Sequence, residues 1–192
     1  MFLELNTFLD FDNKALPRQF VVVSSDDIVE HTFVLNHMLM LYLKSGRRVF
    51  QLNFVHDDAF FSSVCQKVGI NLKSYSAKNA FYTFSCLKLL KSLVKSSFSD
   101  GSHPLSFLSA SGSESGDRLS RLTSQILDEF HRFVGDDPTK GEVLLLVDDI
   151  SGLLNLGLTN REILGAVQSL RADARVRDCG PLLVGTKSCS HD

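Results

Sequence analysis

The sequence has no excess of charge of either sign, no basic leader and no long apolar run. Its 192 residues carry 20 Lys and Arg against 22 Asp and Glu, a formal net charge of −2, so bulk charge gives no drive toward nucleic acid or an anionic membrane. The longest apolar stretch of helical length, residues 33–43, is too short to cross a bilayer and contains Asn36 and His37. The polar residues within the first ten positions argue against a signal peptide. We therefore expect a soluble intracellular protein without a membrane segment, with the cytoplasm as its main location and the nucleus as a second.

Cysteine is scarce, and its spacing is irregular. Cys65, Cys86, Cys179 and Cys189 include no C-x-x-C pair, which argues against a zinc ribbon and a thioredoxin-type site. Cys189 and His191 are close in sequence, but two ligands do not complete a tetrahedral metal site. We expect reduced, mostly buried thiols and neither a metal nor another cofactor.

Strand and helix signals alternate along the chain. Strands are predicted at residues 20–23, 47–55, 81–84, 142–147 and 181–186, and helices at residues 33–43, 60–68, 87–95, 119–133 and 159–170. Parallel strands need crossover connections, which helices provide, so this order predicts an α/β fold with a largely parallel sheet and helices on both faces. The length favours a single domain, residues 1–192. Ser-rich and Gly-rich residues 96–117 predict a flexible insertion, in which residues 104–108 are apolar enough to dock locally.

Two adjacent carboxylates, Asp148 and Asp149, follow the aliphatic strand that begins at residue 142. In a P-loop NTPase this pattern places an Asp beside the Mg²⁺ of a bound nucleotide. Two acids without a phosphate loop do not define a Mg²⁺ site, so we predict that they cap the following turn, residues 151–157, through its backbone amides. The alternative is a divergent nucleotide hydrolase that uses Asp148 and Asp149.

The phosphate-binding loop that such a hydrolase requires is missing from its expected place. A P-loop carries G-x-x-x-x-G-K-[ST] between the first strand and the first helix. Residues 24–32, SSDDIVEHT, contain no Gly and no Lys, and instead contain Asp26, Asp27 and Glu30. These carboxylates would repel a polyanion and satisfy the helix N-terminal dipole themselves. The sequence therefore contains the acidic strand end, which we define as Asp148 and Asp149, but no phosphate-binding loop.

Other polar groups are interpreted as structural. His31 and His37 are predicted to be packed or capping groups, because no Ser, Cys or Asp lies at a spacing that suggests a catalytic pair. The basic clusters are Lys88, Lys91 and Lys95 on one helix and Arg171, Arg175 and Arg177 near the end of another. We predict a solvated helix face for the first and helix C-terminal cations for the second, with RNA contact as the alternative. No catalytic, cofactor-binding or metal-binding residue is assigned.

Several segments, taken in order, resemble the Elongator complex protein 6 family. They are MFLELNTFL, HTFVLNHMLMLYLKSGRRVFQLNF, FSSVCQKVGINL, HPLSFL and LLLVDDISGLLNLGL. Together they cover nearly the whole chain outside the Ser-rich stretch. The resemblance implies a RecA-like domain that has lost its ATPase motifs, and hence a subunit without catalytic activity.

The resemblance also implies partners. It implies a hexameric ring built from Elongator proteins 4, 5 and 6, which binds tRNA and supports modification of the wobble uridine (U34) by the catalytic subcomplex. Family members continue past the strand that corresponds to residues 181–186, whereas this chain stops at KSCSHD. We therefore expect a truncated form that lacks the last strands of the family fold and exposes a sheet edge.

Overall fold

A computed structural model describes residues 7, 18–26, 30–95, 102–108, 118–136 and 141–187. The strands in these residues are β1 (Phe20–Ser25), β2 (Arg48–Asn53), β3 (Phe81–Ser85), β4 (Val143–Val147) and β5 (Leu182–Lys187). The α-helices are α1 (Thr32–Lys44), α2 (Asp58–Lys67), α3 (Leu72–Ala77), α4 (Cys86–Lys95), α5 (Ser120–Val134), α6 (Asn160–Ala172) and α7 (Ala174–Cys179). Short 3₁₀ helices span Ser106–Leu108 and Ile150–Leu156. Every predicted strand and helix is found, and the short helices α3 and α7 are additional.

The five strands form one parallel sheet in the order β1-β5-β4-β2-β3. At least one helix lies between each pair of consecutive strands in the chain, as parallel neighbours require. Among the described strands, β1 and β3 are the edges. The α/β class with a parallel sheet, the arrangement expected of a RecA-like domain, is confirmed.

The core lies on both faces of the sheet. Alternate residues of β4 divide between them: Leu144 and Leu146 pack in the cluster that includes α1, α2 and α3, whereas Val143, Leu145 and Val147 pack in the cluster that includes α5, α6 and α7. All five residues of β4 are buried, as expected for the central strand of a doubly covered parallel sheet. The predicted placement of helices on both faces is therefore confirmed.

Helix α1 is buried mainly by its own sheet. Ten of its 13 residues are buried, and Gly46 ends it with a φ of 76°, a left-handed conformation that glycine adopts without strain. His37 has no solvent exposure, and this burial lowers its pKa. The prediction that His37 is a packed residue is confirmed.

A capping box begins α6, as the three-residue spacing of Thr159 and Glu162 in the sequence indicates. Thr159 Oγ1 accepts a hydrogen bond from Glu162 N at 3.3 Å, and the Glu162 carboxylate accepts one from Thr159 N at 2.8 Å. Arg118 donates two further hydrogen bonds to the same carboxylate, at 2.5 Å and 2.7 Å. Its guanidinium, together with Thr159, lowers the pKa of Glu162 to about 2. The box therefore also attaches Arg118, just before α5, to the start of α6.

Two predicted apolar faces need correction. In the sequence, Val94 shares an apolar helical face with Leu87, Leu90 and Leu93, and Leu164 shares one with Ile163, Val167 and Leu170. In the structure, however, the exposed fractions of Val94 and Leu164 are 60% and 57%. The buried residues of α4 are Cys86 and Leu93, and position 94 is rotated about 100° from position 93. Which part of an apolar stripe faces the core depends on how the helix lies on the sheet.

The apolar part of the Ser-rich stretch docks, as predicted. Leu105 is fully buried, and Phe107 and Leu108 pack against the same core cluster as α5. The rest of the predicted flexible insertion, residues 96–101 and 109–117, lies outside the described residues. One short apolar segment therefore anchors the middle of this stretch.

Candidate functional site

The acidic strand end lies where parallel α/β sheets commonly bind ligands, at the carboxyl ends of the strands. Ser25 ends β1, and Asp148 and Asp149 follow β4 directly. The strand order places β5 between them. The side chain of His31, at the start of α1, spans the distance between the ends of β1 and β4.

His31 joins the ends of β1 and β4 with its two ring nitrogens. Its Nε2 donates to the backbone oxygen of Asp148 at 2.9 Å, and its Nδ1 lies 2.9 Å from Ser25 Oγ. In the eight-residue P-loop pattern that would end at Thr32, His31 stands at the position of the phosphate-binding Lys. The side chain is almost completely buried and makes no cap hydrogen bond to α1, so the prediction that it is a packed group is confirmed.

Gly185 of β5 makes room for the His31 ring. A Cβ at this position would lie within 2.5 Å of His31 Cδ2 and would also overlap the backbone oxygen of Asp148. The His31 ring and the neighbouring backbone therefore fill the space beside the end of β1. Residues 24–32 contain three carboxylates. The structure describes Asp26 and Glu30, whereas Asp27 lies outside the described residues.

Asp148 binds the loop that follows the neighbouring strand β2. Its Oδ1 accepts from Phe54 N at 2.7 Å and from Asp149 N at 2.6 Å. Its Oδ2 accepts from Val55 N at 3.1 Å and from His56 N at 2.8 Å, with His56 Nδ1 at 3.3 Å. The carboxylate is thus surrounded by backbone N–H groups.

The prediction that both acids cap the turn at residues 151–157 is therefore only half right. Asp149 does so, accepting from Ser151 N at 2.9 Å and Ser151 Oγ at 2.5 Å. Asp148 instead holds residues 54–56, because β2 is the hydrogen-bonded neighbour of β4 and its loop leaves the sheet beside Asp148. Sequence spacing does not reveal this contact, since the partners are more than 90 residues apart.

The Asp148 carboxylate has no free position for a cation. A carboxylate offers about four lone-pair sites, and four backbone N–H groups occupy them. A Mg²⁺ ion would have to displace buried hydrogen bonds to bind there. Elsewhere in the described ranges, no three His, Cys, Asp or Glu side chains come together as a metal site.

The basic clusters are arranged differently from each other. Lys88 forms an ion pair with Asp58 at 2.5 Å, while Lys91 and Lys95 are exposed on α4. Their side of the helix is solvated, as predicted. Arg175, from the second cluster, forms an ion pair with Asp136 at 2.9 Å.

The structure adds Arg18 to the arginine cluster. Arg18, Arg171 and Arg177 line a cavity of about 440 Å³ at the amino-terminal edge of the sheet, opposite His31. The Arg171 guanidinium lies 5.4 Å from the centre of the Phe20 ring, which also lines the cavity. We name Arg18, Arg171 and Arg177 the arginine pocket. Arg18 is missed by sequence spacing because more than 150 residues separate it from Arg171.

The described cysteines are free thiols, as predicted. Cys65 and Cys86 are buried, and Cys179 is half-buried. Burial raises the pKa of Cys65 to about 11, and burial together with the charge of Asp148 raises that of Cys86 to about 12. Both therefore remain unreactive thiols near neutral pH. Cys189 and His191 lie outside the described residues.

The helices that the structure describes include none with the length and apolar character to cross a membrane.

Comparison with known proteins identifies the family. The family model described as Elongation complex protein 6 matches residues 2–191. Elongator complex protein 6 of Xenopus laevis is 31% identical over 174 residues, and that of Danio rerio is 30% identical over 180 residues. The Homo sapiens protein of the same name is 27% identical over 177 residues. Each alignment covers 90% of this chain but only 62–63% of the relative. The chain belongs to the Elongation complex protein 6 family.

Proposed function

We propose that this chain is a non-catalytic subunit of the Elongator complex, acting in the cytoplasm or nucleus. It would form one RecA-like domain, residues 1–192, within the hexameric ring of Elongator proteins 4, 5 and 6. That ring would bind tRNA for wobble-uridine (U34) modification by the catalytic subcomplex. The relatives named Elongator complex protein 6 support membership of the Elongator complex. The hydrogen bonds that engage Asp148 and Asp149 support the absence of catalysis.

The observation that carries this proposal is the saturated Asp148 carboxylate. A nucleotide hydrolase needs a loop that wraps the phosphates, a cation to neutralise them and a carboxylate free to hold Mg²⁺. Here His31 stands where the Lys would be and is bound to Ser25 and to the backbone of Asp148. The Asp148 side chain is bound to residues 54–56. The loop sequence is missing, and the positions of the Lys and of the Mg²⁺ ligand are occupied by side chains that hold the fold together.

The alternative function, a divergent nucleotide hydrolase that uses Asp148 and Asp149, has one observation in its favour. Both carboxylates lie at the carboxyl end of a central strand, where such enzymes keep their Mg²⁺ ligand. Against it, Asp149 is also engaged, with Ser151. The alternative therefore requires both caps to open before a metal can bind.

We expect that the double variant Glu30→Gly and His31→Lys does not hydrolyse ATP. Restoring two P-loop residues does not free Asp148, and hydrolysis also needs a positioned water and an arginine from a neighbouring subunit. Phosphate release with Mg²⁺ should equal that of a buffer blank, for the wild-type chain as well as the variant. Mg²⁺-dependent turnover that co-elutes with the wild-type protein in gel filtration would establish the hydrolase instead.

The arginine pocket is the strongest candidate for a modest RNA contact. Three guanidinium groups around one cavity favour phosphate oxygens, and Phe20 offers an aromatic face beside them. Each phosphate neutralised releases counterions and contributes roughly one unit to the salt slope. A chain of net charge −2 has few such contacts, whereas a ring would combine several patches through multivalency.

We therefore expect the isolated chain to bind tRNA weakly, and a ring assembled with Elongator proteins 4 and 5 to bind it tightly, in mobility-shift assays at moderate salt. Replacing Arg18, Arg171 and Arg177 with Ala should lower the affinity of the ring and reduce its salt slope by about one to three units. Arg175→Ala is the control, because Arg175 belongs to the same sequence cluster but does not line the cavity and pairs with Asp136 instead. Tight binding by the isolated chain, or an equal loss in the control, would contradict this assignment.

A further inference from the structure

The arginine pocket is lined by charges of one sign. Arg18, Arg171 and Arg177 line its cavity of about 440 Å³, and the described lining contains no Asp or Glu. A cleft lined by one sign of charge, with apolar walls, focuses the electric field and attracts counter-ions. In a chain whose net charge is −2, this local excess of positive charge indicates an anionic ligand.

Two of the three arginines have no carboxylate partner among the described residues. Arg177 forms an exposed ion pair with Asp178 at 3.6 Å, which is long for such a contact, whereas Arg18 and Arg171 form none. Other arginines of the chain do pair with a carboxylate, namely Arg47, Arg118, Arg132 and Arg175. The guanidinium groups of Arg18 and Arg171 are exposed and therefore available to a ligand.

Phe20 orients the Arg171 side chain. The guanidinium carbon lies over the Phe20 ring, 5.4 Å from its centre, which is a cation–π contact. This contact uses the flat face of the guanidinium, while its N–H donors point outward in the plane and stay free to bind oxygen atoms. Aromatic rings and guanidinium planes are also the surfaces on which unpaired RNA bases stack. The pocket thus combines donors for a phosphate group with a stacking surface for a base.

The size of the cavity limits the ligand to about one nucleotide. Sites for small molecules enclose roughly 300–1,000 Å³, and this cavity is near the lower end of that range. An RNA stem is a wide helix with its phosphates on the outside, so it can touch the rim but cannot enter. A terminal phosphate group carries a charge of about −1.5 to −2 at pH 7, whereas an internal phosphodiester carries a single charge. Three arginines therefore suit a terminal phosphate better.

We propose that the arginine pocket binds one nucleotide that carries a terminal phosphate group. The nucleotide is either a free mononucleotide or the 5′ end of a single-stranded RNA, and the RNA source rests on the tRNA-binding role proposed above. The three guanidinium groups bind the phosphate, and the base stacks beside Phe20. Because stacking tolerates every base, we expect the four mononucleotides to bind with affinities within about a factor of ten of each other.

The test is calorimetric titration of the full chain with adenosine monophosphate, adenosine and the dinucleotide adenylyl-adenosine. The dinucleotide contains one internal phosphodiester and no terminal phosphate, so it is the matched ligand control. Adenosine monophosphate should bind at least about tenfold more tightly than either of the other two, because only its phosphate makes charge-assisted hydrogen bonds with two charges. Inorganic phosphate should bind about fivefold or more weakly than adenosine monophosphate, because it lacks the base that stacks.

Variants connect the binding to the pocket. Arg18→Ala and Arg171→Ala should each weaken the binding of adenosine monophosphate by about fivefold to thirtyfold. The melting temperature should not fall, because both side chains are exposed and neither forms an ion pair with a described residue. Arg175→Ala is the control variant, since Arg175 pairs with Asp136 and does not line the cavity.

Equal binding of adenosine monophosphate and adenosine, or no binding of the nucleotide at millimolar concentration, would overturn the proposal. Inorganic phosphate that binds as tightly as the nucleotide would also overturn it, because the pocket would then recognise an anion without a base. An equal loss of binding in Arg175→Ala would show that the nucleotide binds elsewhere.

Short single-stranded RNAs with and without a 5′ phosphate separate the two sources of the nucleotide. Competition with adenosine monophosphate by the phosphorylated RNA alone identifies an RNA end, and competition by neither RNA identifies a free mononucleotide. Equal competition by both would mean that internal phosphates suffice, which contradicts the proposal. These titrations need neither the ring nor tRNA. If they fail while replacing the three arginines still weakens tRNA binding by the ring, the proposed function stands without a nucleotide site.

Discussion

Asp148→Ala should lower the free energy of unfolding by about 3–5 kcal/mol, the usual cost of removing one partner from a buried, charged hydrogen-bond network. The carboxylate accepts hydrogen bonds from four backbone N–H groups and is almost completely buried. Alanine would leave the N–H groups of residues 54–56 without their acceptor at the end of β2. The loss would be a large fraction of the stability of an ordinary domain. Urea denaturation followed by circular dichroism measures it.

The neighbouring acid provides the control for this prediction. Asp149 caps only the turn that begins at Ser151, so Asp149→Ala should cost about 1 kcal/mol, as N-cap substitutions usually do. A Mg²⁺ site would behave differently, because removing either acid would relieve repulsion in the metal-free protein and raise its stability. Equal or reversed effects of the two substitutions would show that Asp148 does not hold the loop.

Arg48→Met should cost about 2–4 kcal/mol, because it leaves several carbonyl groups without their buried donor. The Arg48 side chain donates to the backbone oxygens of Asn79 at 3.1 Å and Val134 at 3.2 Å, and also to that of Phe133. Phe133 and Val134 are the last residues of α5, whose carbonyls have no partners within the helix. The guanidinium also lies 4.2 Å from the centre of the Phe133 ring.

The adjacent arginine makes a matched comparison in the same denaturation experiment. Arg47 forms a partly exposed ion pair with Glu142 at 3.2 Å, and such pairs contribute at most about 1 kcal/mol. Burial lowers the pKa of Arg48, which reflects the same desolvation that makes its hydrogen bonds necessary. A larger loss in Arg47→Met than in Arg48→Met would refute the role given to Arg48.

Local features of the fold could be predicted because they depend on residues close in sequence. The alternation of strands and helices follows from apolar periodicity, and the capping box of Thr159 and Glu162 follows from a three-residue spacing. The lack of a phosphate cradle in residues 24–32 is likewise a matter of composition. Val94 and Leu164 were placed wrongly because the pattern gives an apolar stripe but not the rotation of the helix on the sheet.

The sequence by itself determined the fold class, the helix ends and the resemblance to a family. Each of these depends on residues that are close in sequence or on the order of segments along the chain. The tertiary structure decided what the polar residues do. Asp148 accepts hydrogen bonds from residues 54–56 because β2 lies beside β4. Arg18 and Arg171 line the same cavity because β1 lies beside β5. Strand order places residues that are far apart in sequence beside each other, and no local periodicity carries that information.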